Sequence, residues 1–258
     1  ISSRLRQNDQ MAIEDLRMRA AELADAYQKL AEQDMARREF LTNIAHELRT
    51  PLMVAGGYLH AIQKGMFSGD QLQTVVDTVV RSVDQITTRV NDLLFLQEMD
   101  LVLPEFQPVN IAEIISEAVS KYEARAKEKR ITLKVKGDRG VAKARGDSAS
   151  LERAVVCLVD NAIKFSDPGG EVEIRYLEQG DYVRFSVEDH GIGIAPEIRP
   201  RIFDRFFHVD MHGDQLYNGL GIGLSITRQV IQQHQGMLDV ESQPGKGSKF
   251  TVSLPKWR

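Results

Sequence analysis

Between Ile13 and Leu30 the apolar residues fall at Ile13, Leu16, Ala20, Leu23, Tyr27 and Leu30, in alternating steps of three and four. Such spacing keeps one narrow stripe on a helix and predicts a coiled coil. The same phase reaches Leu41, Ile44 and Leu48, but its positions at Asp34 and Arg37 are polar. Polar seam residues set register and oligomer number, and a weakened seam is equally a place where an incoming helix rotation or bend acts. Gly65 to Asp70 interrupts this helix, with Asp70 a candidate N-cap for a second. That second helix carries Leu72, Val76, Val79, Val83, Ile86, Val90 and Leu93 in steps of four and three. Two narrow stripes on a short connection predict an antiparallel hairpin that cannot bury its apolar face alone, and dimerisation into a four-helix bundle is the simple remedy.

After Leu103-Pro104 the period changes, and a separate domain is expected from about Pro108. The pattern predicts helices over Ile111 to Lys129, Ala149 to Phe165 and Gly223 to His234. Strands are predicted over Ile131 to Val135, Glu171 to Leu177, Tyr182 to Glu188, Met237 to Ser242 and Lys249 to Leu254. The expected fold class is therefore α plus α+β: a coiled coil and a helical-hairpin dimer forming a four-helix bundle, followed by helices on a mixed sheet. Three segments result, at residues 1–37, 38–103 and 108–258.

Composition narrows this only slightly. A length of 258 residues fits about two domains, and a net charge of −4 gives no reason to expect nucleic acid. One cysteine excludes an intramolecular disulfide and fits a reducing compartment. No apolar run approaches bilayer length, and the chain starts at Ile1 inside a helical pattern. The expectation is a cytoplasmic portion of a longer receptor whose sensor lies upstream, either across a membrane or in a soluble domain.

The chemistry concentrates at Phe40-Leu41-Thr42-Asn43-Ile44-Ala45-His46-Glu47-Leu48-Arg49-Thr50-Pro51-Leu52. If Leu41, Ile44 and Leu48 face a partner helix, His46 points outward, where an imidazole is reachable. Glu47 beside it is placed to accept the proton from one ring nitrogen, leaving the other as a nucleophile. Thr50 lies one turn on, and Pro51 has no amide hydrogen for the carbonyl of Glu47, which predicts a loosened or bent helix there. Taken alone, His46 is only an exposed helical histidine.

Three further segments change that reading. Asp160-Asn161-Ala162-Ile163-Lys164-Phe165 puts an amide and a lysine three residues apart near a helix end, suited to a metal and a phosphate. Asp189-His190-Gly191-Ile192-Gly193 sets an acid at a strand end before two glycines that allow close backbone approach. Gly219-Leu220-Gly221-Ile222-Gly223-Leu224 runs into a helix whose amides suit a polyphosphate. The acid precedes the glycines, which argues against a dinucleotide-binding βαβ unit.

In this order, the stretch around His46 resembles the phosphoacceptor box of sensor histidine kinases. The later segments, with Phe203-Asp204-Arg205-Phe206-Phe207 between them, resemble the asparagine, first glycine, phenylalanine and second glycine boxes of the kinase catalytic domain. The resemblance covers about Arg38 to Pro255, and it implies the fold shared with the gyrase, heat-shock chaperone and mismatch-repair ATPases. It implies that ATP and magnesium are used: Asn161 holds magnesium, Lys164 touches phosphate, Phe165 packs near the base and Asp189 reads adenine. Gly191, Gly193, Gly219, Gly221, Gly223 and Leu224 line the nucleotide, Val209 to Asn218 form its lid, and the Gly245-Lys246-Gly247-Ser248 turn is a final glycine segment. His46 receives the γ-phosphate with Glu47 as base and passes it to an aspartate of a response-regulator receiver domain, which docks at Val54, Tyr58 and Ala61. The chain would act as a homodimer, and Glu47-Leu48-Arg49-Thr50 resembles the motif through which such kinases dephosphorylate their regulator, with Thr50 orienting the water. Two positions depart from the family pattern. Cys157 stands where an asparagine is usual in kinases and a water-activating glutamate in the hydrolytic relatives, which favours phosphotransfer over hydrolysis. His208 stands where an arginine is common, and it supplies charge only when protonated. The rival readings are an ATP-hydrolysing conformational machine and a nucleotide-binding scaffold that transfers nothing.

Overall fold

The computed structural model describes residues 2–99, 104–138, 140–141, 143–207 and 221–257, with side chains of the first helix from Met18 onward except at 33, 36, 37, 39 and 40. Helix α1 spans Ser2–Gln63 and α2 spans Asp70–Met99. The reversal between them uses left-handed backbone at Gly65 (φ 68°) and Gly69 (φ 56°), which glycine adopts without a Cβ penalty. Asp70 is the first residue inside α2 rather than its cap. The residue before the helix is Gly69, whose carbonyl accepts from the Leu72 amide at 3.1 Å. Ile13, Leu16 and Arg37 of the coiled-coil pattern lie outside the described side chains, while Leu23, Tyr27 and Leu30 are exposed.

The apolar face of α2 is broader than a single seam. Val75, Val79, Ser82, Ile86, Arg89, Leu93 and Leu96, in steps of four and three, form a stripe of buried or half-buried positions, flanked by half-buried Leu72, Thr78, Asp92 and Phe95. One residue further round, Val76, Val80, Val83, Val90 and Leu94 form a second heptad stripe, with Val80 52% and Val83 50% exposed. The seven-residue seam predicted for α2 zigzags between the two stripes. The hairpin thus closes one face within the chain and leaves an apolar one open.

The second layer begins with β1 (Gln107–Val109) and continues through α3 (Ile111–Glu128), β2 (Thr132–Gly137), β3 (Ala144–Gly146) and α4 (Ser148–Phe165). It ends with β4 (Glu171–Gln179), β5 (Tyr182–Asp189), α5 (Gly223–Gln233), β6 (Met237–Gln243) and β7 (Gly247–Pro255). Five strands form a mixed sheet in the order β2-β4-β5-β7-β6, parallel only between β2 and β4. Alternation puts Val172 and Ile174, Val183, Phe185 and Val187, and Val252 and Leu254 inward. They meet Leu151, Val155, Leu158 and Val159 of α4 and Ile226, Val230 and Ile231 of α5 in one core. Capping starts the helices where the pattern places them: the Asn110 side chain accepts from the Ala112 amide at 3.1 Å and Asp147 from the Ser150 amide at 2.8 Å.

The antiparallel pair β1–β3 carries no sequence signal, being three residues a side and interrupted by Pro108 and Gly146. It exists because tertiary neighbours hold it. A Cβ on Gly146 would sit 2.3 Å from Leu151 Cδ1, and the next residue, Asp147, donates its amide to His234 Nε2 at 2.9 Å. His234 Nδ1 lies 2.7 Å from the Val230 carbonyl and donates to it, so the buried ring is held as one neutral tautomer. The break after residue 103 is also less clean than the change of period implies. Leu96 and Met99 of α2 are buried in the same core as α4. Arg153 of α4 pairs with Asp92 and lies 4.7 Å from the Phe95 ring centre, and the Gln233 side chain donates to the Met99 carbonyl at 2.8 Å.

Candidate active site

His46 is exposed on α1, while Ile44 and Leu48 beside it are half-buried. The helix continues through Pro51 to Gln63. The predicted loosening is met by a donor from the other helix: the Arg89 guanidinium donates to the Glu47 carbonyl, the group that Pro51 leaves unserved. The same Arg89 nitrogen lies 3.2 Å from Glu47 Oε2, a charge contact without the direction of a hydrogen bond, and this buried oxygen has no hydrogen-bond partner. The Glu47 carboxylate therefore rests on Arg89. Thr50 Oγ1 donates to the His46 carbonyl at 3.4 Å, the long back-bond of a helical threonine. Val54 and Tyr58 are exposed and Ala61 half-buried, with the Tyr58 ring 6.3 Å from that of Phe67.

The second half of the site is assembled around the end of α4. Asn161, Lys164 and Phe165 are all half-buried, with the Lys164 ammonium 5.0 Å from the Phe165 ring centre. Burial lowers the Lys164 pKa, opposed first by the Asp160 carboxylate, and the charges of Glu47 and Arg89 also reach it. Lys164 and the turn that carries Glu47 are thus electrostatic neighbours within one chain. Asp189, 6% exposed at the end of β5, accepts from the Gly191 amide at 2.9 Å. Burial raises its pKa against the pull of the Gly191 and Ser248 amides.

Close backbone contacts explain the first glycine segment. A Cβ on Gly191 would lie 2.0 Å from the Phe165 carbonyl oxygen, and one on Gly193 (φ 67°) would lie 2.0 Å from the Gln243 carbonyl oxygen. The Ile192 amide bonds the Phe165 carbonyl at 3.3 Å, and the Gly245 amide bonds the Ile192 carbonyl at 2.7 Å. The Ser242 hydroxyl accepts from the Ile194 amide at 2.8 Å and donates to the Gly247 carbonyl at 2.9 Å. These bonds tie the end of α4, the loop after β5 and the β6–β7 turn into one wall.

Helix α5 begins beside α4. Its cap residue, Ile222, has no side-chain acceptor to offer the first amides, from Gly223 and Leu224 onward, an arrangement that suits an anion. Gly223 lies close to α4, where an added Cβ would be 3.6 Å from Cys157 Sγ. Cys157 keeps some exposed surface as a residue, but its thiol is enclosed, and burial pushes its pKa up to about 12. Gly221 accepts from the Phe206 amide at 3.0 Å, and Phe206 holds a positive φ of 67°. His208, Gly219 and the segment Val209 to Asn218, expected as a lid, lie outside the described residues. Arg89 was not among the expected site residues. Only half of its signal was legible, the carbonyl that Pro51 leaves without a donor, because the seam drawn on α2 passed through Val90 and left Arg89 outside it.

Two family models match the chain. Residues 36–101 match the His Kinase A (phospho-acceptor) domain, and residues 146–258 match the histidine kinase-, DNA gyrase B- and HSP90-like ATPase. The chain belongs to the sensor histidine kinase family. Among individual relatives, it is 31% identical to the sensor-like histidine kinase SenX3 of Mycolicibacterium smegmatis over 95% of its own length. It spans 64% of that protein. A solved mycobacterial sensor histidine kinase, MprB, aligns at 32% identity and a TM-score of 0.51, over 59% of this chain and 98% of that one. The histidine kinase ThkA, solved in complex with the response regulator TrrA, aligns at 25% identity and a TM-score of 0.65, over 85% of this chain and 61% of that one.

Proposed function

We propose that this chain is the catalytic core of a sensor kinase that transfers the γ-phosphoryl group of ATP to His46 and then to an aspartate of a response-regulator receiver domain. The observation that carries it is the pairing of an exposed His46 with a glycine-walled site whose Lys164 feels the charge of Glu47. In the transfer, Glu47 takes the proton of one ring nitrogen while the other attacks the γ-phosphorus. The bond to the bridging oxygen breaks, and ADP leaves. Catalysis is mostly positioning and charge neutralisation.

The nucleotide site fits a magnesium ion that keeps phosphate oxygens and water as its main ligands. Asn161 offers an amide oxygen, and among the described residues no cluster of acids or histidines forms a dedicated metal cage. Bound there, the ion neutralises phosphate charge. Asp189 is placed to accept from the adenine amino group, and the open end of α5 to receive the phosphates. Dimerisation through the exposed stripe of α2 completes a four-helix bundle, and the receiver domain docks at Val54, Tyr58 and Ala61 below His46. The segment 1–37 is read as the signalling coiled coil, 38–103 as the phosphoacceptor domain and 108–258 as the nucleotide domain of a protein whose sensor lies elsewhere. No described helix is long and apolar enough to cross a membrane. Because the proposed reaction draws on ATP and a receiver domain, we read the core as working in the cytoplasm.

The test is incubation with γ-labelled ATP and magnesium. Label should be acid-labile and alkali-stable, and His46→Gln should abolish it while leaving ATP affinity unchanged by calorimetry. Undiminished label on the variant would sink the assignment. A regulator phosphatase activity is the second reading, favoured by the Thr50 hydroxyl one turn from His46. Thr50→Ala should keep autophosphorylation and slow loss of label from the regulator by about tenfold or more. Loss of kinase activity together with helix content would instead assign Thr50 to the back-bond.

A further inference from the structure

A proline inside a helix leaves the carbonyl four residues earlier without its donor, and a polar group buried unpaired costs about 1–3 kcal/mol. Here that carbonyl belongs to Glu47, the neighbour of the phosphate acceptor. The chain answers with Arg89, which reaches from α2, keeps only 11% of its side chain exposed, and donates to this carbonyl. The same guanidinium nitrogen faces the Glu47 carboxylate at 3.2 Å. One side chain thus meets both the backbone and the side chain of one residue.

We propose that Arg89 is a positioning residue for phosphotransfer: its guanidinium replaces the backbone donor that Pro51 removes from the His46 turn and holds the Glu47 carboxylate ready beside it. The proposal rests on the reading of His46 as acceptor and Glu47 as base. The two contacts differ in kind. The carbonyl receives a hydrogen bond, whereas Glu47 Oε2 is buried beside the charge and accepts none. An acceptor in that condition gains by turning to another donor, and the imidazole N–H of the adjacent residue is such a donor. The backbone bond keeps the turn in place while the carboxylate moves. A guanidinium suits this double task, since its planar nitrogen donates to the carbonyl in a fixed direction while the delocalised charge faces the carboxylate, and an ammonium offers no such fixed geometry.

The experiment is a double-mutant cycle on autophosphorylation. Arg89→Met should lower kcat by about ten- to a hundredfold with the KM for ATP unchanged, because the turn is displaced and the nucleotide is held elsewhere. Pro51→Ala returns a backbone N–H to the Glu47 carbonyl. In that background the loss caused by Arg89→Met should be several-fold smaller, and Arg89→Lys should fall between arginine and methionine. Should Arg89→Met lose helical circular dichroism, Arg89→Gln, which keeps a donor but no charge, takes its place in the cycle. Equal losses in the two backgrounds, or lowered thermal stability with kcat intact, overturn the positioning role. If His46→Gln keeps its label, it is the acceptor reading that fails. If His46→Gln loses label while Arg89→Met phosphorylates normally, the role of Arg89 fails alone.

Discussion

The helical hairpin and the nucleotide layer solve the problem of burial in opposite ways. In the layer, a sheet face and three helices enclose Val155, Val172, Val183, Ile226 and Leu254, all fully buried. In the hairpin, α2 divides its valines between an inward stripe and an outward one, and Val80 and Val83 remain half exposed. An open sheet covered by helices closes on itself, whereas two helices have too little surface to enclose a core. The difference teaches that the layer encloses a core, to which Leu96 and Met99 of α2 contribute, while the hairpin leaves an apolar stripe for the proposed second copy to cover. In the proposed phosphotransfer, a closed layer works with a hairpin whose geometry would depend on a second copy. Under that reading regulation enters at the hairpin, because the hairpin carries the proposed acceptor.

The sharpest way to break this contrast is to charge the open stripe. Val80→Glu with Val83→Glu should weaken dimerisation by on the order of a thousandfold, since each copy loses two apolar side chains from the seam and would bury two carboxylates. ATP affinity of the same variant should not change. Light scattering that still shows a dimer at micromolar protein would contradict the proposed bundle. The complementary change lies in the layer: Asp189→Asn should cost roughly ten- to a hundredfold in adenine-nucleotide affinity by calorimetry, with the dimer intact. Unchanged affinity would remove Asp189 from the site. The smallest effect is expected at Cys157, whose enclosed thiol meets α5 at Gly223. Cys157→Asn should lower the stability of the layer by about 1–3 kcal/mol through crowding of that contact, while magnesium titrations of autophosphorylation superimpose. A tighter magnesium dependence would show that position 157 serves the metal instead.

Sequence period alone placed α3, α4, α5 and the five strands of the main sheet to within two residues at most ends, because each is long enough for its alternation or helical repeat to stand out. It also marked His46, Asp189 and the glycine segments, since chemistry that needs a reachable imidazole or close backbone approach leaves few residue types to choose from. Other features were decided by tertiary structure. The pair β1–β3 is too short for any repeat, and Asp70 yields the flanking position to Gly69 because the turn requires left-handed backbone there. The single seam drawn on α2 became two stripes because heptad spacing tells which residues share a face but not how many neighbours that face meets. Gly191 and Gly193 looked alike in sequence as flexible residues. In the fold each is required by a particular carbonyl, of Phe165 and of Gln243. The fate of the carbonyl freed by Pro51 was the least legible of all. A missing donor can be read from one residue, but its replacement, Arg89, stands 42 residues from Glu47 in sequence and meets it only when the hairpin closes.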